Sequence, residues 1–120
     1  MSKQIENSKR LRYIRILERF KSSIIVYLSK TDDLLKEVYN KRIENNLRYY
    51  NKVEAIQLYK GEYSDLEALV QKMIAYQTKD TDIEEIKEAL LYDANQLEKS
   101  VNNRRYKKDK HKNSKFDEWS

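Results

Sequence analysis

Residues 81–101, "TDIEEIKEALLYDANQLEKSV", decide the fold class. The stretch opens as a capping box, with Thr81 at the N-cap and Glu84 three positions on. Its apolar residues Ile83, Ile86, Leu90, Ala94, Leu97 and Val101 then recur at helical period without a miss. Past Val101 the period stops. The stretch predicts one amphipathic helix with one side buried.

The same pattern extends outward. Upstream, "SDLE" at 64–67 is a second capping box, with Ser64 as N-cap and Glu67 at N3. A third helix follows with Leu66, Leu69, Val70, Met73, Ile74 and Tyr76, fading at "QTKD". From about Lys3 to Ser29 one helical face carries Tyr13, Ile16, Leu17, Phe20, Ile24, Tyr27 and Leu28, while Arg12, Arg15 and Arg19 share another. Thr31 is the expected N-cap of a second helix, with Asp32 and Asp33 favouring its dipole. That helix is expected to run to about Lys60, burying Leu35, Val38, Tyr39, Ile43, Leu47, Tyr50, Val53 and Ile56, with Gly61 as its C′ residue.

Composition agrees. The 120 residues contain no Pro and one Gly, so the breakers of helices are nearly absent. The expected fold is all-α: an antiparallel bundle of four amphipathic helices, two long and two shorter, over residues 1–103. Residues 104–120 are expected to form a flexible basic tail with an aromatic tip. An elongated hairpin of the first two helices that dimerises is also compatible with the stripes.

Cysteine is absent, which removes disulfides and thiolate ligands. No uncharged run near the start is long enough for a secretory or membrane-spanning segment, so a cytoplasmic protein without membrane insertion is expected. Enzymatic chemistry is not expected. The only histidine, His111, falls in the tail, and one glycine cannot build a phosphate-cradling loop. Glu84, Glu85 and Glu88 cluster without the histidines a di-iron bundle requires. No cofactor and no metal are expected.

Charge is the informative feature. The net +5 divides into +6 over residues 1–30, +1 over 31–60, −6 over 61–103 and +4 over 104–120. One reading compensates these charges within the molecule, the acidic helices lying beside the basic first helix. The other makes the first helix and the tail an electropositive surface for nucleic acid. Arg12, Arg15 and Arg19 would straddle phosphates with bidentate forks. In the tail, Arg104, Arg105, Lys107, Lys108, Lys110 and Lys112 interleave with Tyr106, suiting phosphate contact and base stacking. Phe116 and Trp119 at the tip suit docking to a partner protein.

A helix-turn-helix around Gly61 is disfavoured by Asp65 and Glu67, which stand where base contacts are made. The leading expectation is a small accessory or regulatory protein of a phage, plasmid or other mobile element, contacting nucleic acid without sequence specificity. The alternatives are a protein-binding adaptor, inhibitor or immunity-type bundle whose partner is an acidic protein, and a phage structural component. A homodimer is compatible with each.

Overall fold

A computed structural model describes the backbone of residues 2–119 and the side chains of residues 5–102. Four helices follow in order: α1 (Ser2–Lys30), α2 (Lys36–Tyr50), α3 (Gly61–Thr78) and α4 (Ile83–Trp119). Among the described residues there is no strand. The all-α bundle with two long and two shorter helices is as expected, but the long ones are α1 and α4 rather than α1 and α2. The basic tail and aromatic tip expected over 104–120 lie outside the residues whose side chains are described.

α1 is the central element, touching α2, α3 and α4. Its stripe is buried as the period demands: Tyr13, Leu17, Phe20, Ile24 and Leu28 are each at most 1% exposed. They meet Tyr39 and Ile43 of α2, Val70 and Met73 of α3, and Ile86 and Leu90 of α4 in one core. α1 and α2 run antiparallel. Asn46 donates to Ser23 Oγ (3.1 Å) near mid-helix, while Tyr50 meets Phe20 and Tyr13 further along. Asn46, the buried polar side chain of α2, also donates to the Arg42 carbonyl (2.8 Å) and so is satisfied.

The α1–α2 connection departs from expectation. Residues 31–35 are not helical, the N-cap of α2 is Leu35, and no side chain caps it. Thr31 therefore caps nothing. The cause is Tyr27, whose hydroxyl donates to the Leu35 carbonyl (3.1 Å) and accepts from the Leu35 N–H (3.0 Å), holding that residue extended. The helical phase is broken there, so Leu34 turns inward while Leu35 is 57% exposed. Val38 is exposed as well.

The larger correction lies at residues 51–60. α2 ends at Tyr50, a turn and bend span 51–53, and residues 54–59 are neither helix nor strand. From residue 56 to 59 exposure alternates: Leu58 is buried and Ile56 half-buried, while Gln57 and Tyr59 are exposed. A segment outside helix and sheet must satisfy its carbonyls elsewhere. Arg10 Nε donates to the Gln57 carbonyl (3.2 Å) and Ser64 Oγ to the Leu58 carbonyl (3.2 Å). Ser64 is thus a tether inside α3, not an N-cap. α3 begins at Gly61 with Lys60 as its N-cap, so Gly61 is a helical residue, not a C′ glycine. The second box is closer to expectation, since α4 starts at Ile83, one residue late.

α3 ends without a glycine, and Lys36 takes that role. Its ammonium donates to the carbonyls of Tyr76 (2.8 Å), Lys79 (2.9 Å) and Thr81 (3.4 Å). A cation at a helix C-terminus satisfies orphan carbonyls and opposes the dipole. Lys36→Met is expected to lower stability by about 1–2 kcal/mol. Denaturant unfolding followed by circular dichroism checks it, and an unchanged midpoint would remove Lys36 from this role.

α3 and α4 pack antiparallel, joined by Lys72 and Asp93 (2.5 Å). The hydrogen bond to Asp93 holds the Lys72 ammonium above its ordinary pKa. The Tyr13 phenol is pushed far above the usual range, by burial first and then by its hydrogen bond to Glu67.

Candidate nucleic-acid interface

Arg12, Arg15 and Arg19 are exposed on one side of α1, away from the core stripe. Helical rise sets Arg12 and Arg19 about 10 Å apart along the axis. Over that length one strand of a duplex carries about three phosphates at 3.4 Å each. Arg12 and Arg15 also line an open groove of about 700 Å³ along the first half of α1, with Ile5, Ser8, Lys9 and Leu11.

α2 extends this side. The Arg19 guanidinium lies 4.5 Å from the centre of the Tyr49 ring, and the Lys52 ammonium lies 5.8 Å from the same ring. Arg42 sits 5.0 Å from the Tyr27 ring. Tyr49 thus gathers one cation from α1 and one from beyond the end of α2. Such contacts hold a charged group in place without neutralising it. At 44% exposure, the Tyr49 ring remains open to solvent.

The ion pairs of the described residues leave the arginine row alone. They are Lys9 with Glu54 (3.1 Å) and Lys72 with Asp93. Neither joins α1 to α3 or α4, although both acidic helices pack against α1.

Arg12, Arg15 and Arg19 are therefore brought together on one face. Arg104, Arg105, Tyr106, Lys107, Lys108, Lys110, Lys112, Phe116 and Trp119 lie outside the described side chains. Arg42, Tyr49 and Lys52 are additions that sequence reasoning missed as members of this face. Tyr49 stood off the apolar stripe, which marked it for a surface contact but not for pairing with Arg19. Arg10, also on α1, serves the segment between α2 and α3 instead, stacking on Tyr59 at 5.0 Å.

Among the described residues no group of His, Asp or Glu side chains is placed to hold a metal ion, and no helix is long and apolar enough to cross a membrane. Comparison with protein-family models, curated proteins and solved structures finds no match to this chain.

Proposed function

We propose that the chain is a small cytoplasmic accessory or regulatory protein, of the kind carried by phages and plasmids, that grips nucleic acid through its phosphates. The observation that carries this reading is the arginine row of α1, which no ion pair among the described residues engages, backed by the cations that Tyr49 gathers from α1 and from just beyond the end of α2. Cations held by ring contacts or by none keep their charge available to an outside anion. The grip is independent of sequence. The face lies along the sides of α1 and α2, and the acidic start of α3 is unsuited to reading bases. The C-terminal segment, with its six cations over residues 104–112, adds charge of the same sign.

The test is a salt titration with a labelled duplex and a labelled single strand, followed by fluorescence anisotropy. Binding is expected at low salt, with log K falling linearly against log salt at about 0.9 per phosphate engaged on the duplex. Scrambling the sequence is expected to leave the affinity unchanged. Absence of binding to duplex DNA, single-stranded DNA and single-stranded RNA at low salt would overturn the reading.

A further inference from the structure

On the other side of α1, between α1, α3 and α4, lies a cleft of about 470 Å³. Leu66 and Leu97, both buried, and half-buried Val101 supply its apolar lining. Three carboxylates, Glu18, Glu62 and Glu98, stand around that lining against a single ammonium, Lys21. None of these four takes part in an ion pair among the described residues. The cleft suits a segment that brings cations and an apolar anchor together.

The chain carries such a segment itself. Residues 104–112 hold six Lys and Arg against one Asp, with Tyr106 among them and Phe116 and Trp119 beyond. The same copy is poorly placed to use it. Leu97, Glu98, Val101 and Asn102 already form one wall of the cleft, and the basic block starts two residues later. Residues 99–115 contain neither Gly nor Pro, the residues that most readily reverse a chain, so the sequence offers no turn back into its own cleft.

We infer that the cleft receives the basic C-terminal segment of a second copy of this chain. Its cations meet Glu18, Glu62 and Glu98, and an aromatic ring rests on the leucines. Each copy offers both a cleft and a segment, so a two-fold exchange uses both and closes as a dimer. The inference does not depend on nucleic-acid binding, which draws first on the opposite side of α1.

Trp119 is the only tryptophan, so its fluorescence reports on the segment alone. Full-length, nuclease-treated protein is expected to sediment as a dimer at low salt. It should dissociate near 1 M salt, where the screening length is about 3 Å. Trp119 emission should shift to the blue as rising concentration drives the same transition. Glu18→Gln with Glu62→Gln and Glu98→Gln is expected to weaken the dimer about tenfold or more, each lost ion contact amounting to a few-fold. Circular dichroism should stay unchanged. Phe116→Ala with Trp119→Ala, read by sedimentation, should act in the same direction. A monomer at every concentration would overturn the inference. So would blue emission independent of concentration, which places the segment on its own copy, or a dimer indifferent to both sets of substitutions.

Discussion

Replacing Arg12, Arg15 and Arg19 together by Ala is expected to weaken binding to duplex DNA by two to three orders of magnitude at about 0.1 M salt. The estimate follows from counterion release. Each phosphate contact contributes about 0.9 to the slope of log K against log salt, so three lost contacts flatten it by about 2.7. Variant and parent should converge near 1 M salt, where release of counterions no longer drives binding. One decade below, they should stand about 2.7 decades apart. The fold should tolerate the change, because all three side chains are exposed. Arg19 also gives up its contact with Tyr49, which at an exposed site contributes about 0.5–1 kcal/mol. Anisotropy titrations at several salt concentrations measure both slopes. Equal slopes would remove α1 from the interface and leave the basic block as its only candidate.

Phe20→Ala is expected to cost about 3–5 kcal/mol, the range for emptying a buried aromatic site. Phe20 is 1% exposed and meets the Tyr50 ring edge-on, at 6.1 Å between centres and 88° between planes. It sits where α1 packs on the last turn of α2, so the cavity would open beneath the turn that leads out of α2. Domains of this size are stable by about 5–15 kcal/mol, so the loss takes a large share of the total. Urea unfolding should show a much lower midpoint with the slope retained. Leu35→Ala is the informative partner. Helical period assigns Leu35 to the core, whereas its 57% exposure predicts a change within about 0.5 kcal/mol. A Leu35 cost near that of Phe20 would contradict the non-helical course of residues 31–35.

These two positions show how far periodicity reaches. α1 was legible throughout, because its stripe holds one phase from Tyr13 to Leu28, about four turns, and nothing along it competes with the helix. The stripe of α2 was legible only in part. Leu47, Tyr50, Val53 and Ile56 keep helical spacing, yet the helix stops at Tyr50. The residues that follow also fit a strand-like reading, with Ile56 and Leu58 inward and Gln57 and Tyr59 outward. Arg10 and Ser64 decide against the helix by bonding the carbonyls that a non-helical chain leaves open. Neither partner can be identified from residues 51–60 alone. Ser64 shows the same limit in reverse: its spacing to Glu67 is that of a capping box, but its hydroxyl is engaged by a carbonyl six residues earlier.

The arginine row belongs to the first kind of feature and its setting to the second. That Arg12, Arg15 and Arg19 share a face follows from their spacing on a helix. That Tyr49 and Lys52 lie beside them depends on how α1 and α2 pack, which spacing within either helix does not specify.

The sequence by itself determined an all-α chain, the course of α1, the start of α4 to within one residue, the buried stripe of α1 and the division of charge along the chain. Each follows from the geometry of a helix and from residues a few positions apart. Tertiary structure alone decided where α2 ends, that Leu34 rather than Leu35 is buried, that Lys36 closes α3, and that among the described residues no ion pair engages Arg12, Arg15 or Arg19. The reason is physical. Local spacing states which side of a helix is apolar, whereas the termination of a helix and the partner of a charge are set by groups elsewhere in the chain, from eight positions away for Tyr27 and Leu35 to more than forty for Lys36 and Lys79, present only once the chain has packed.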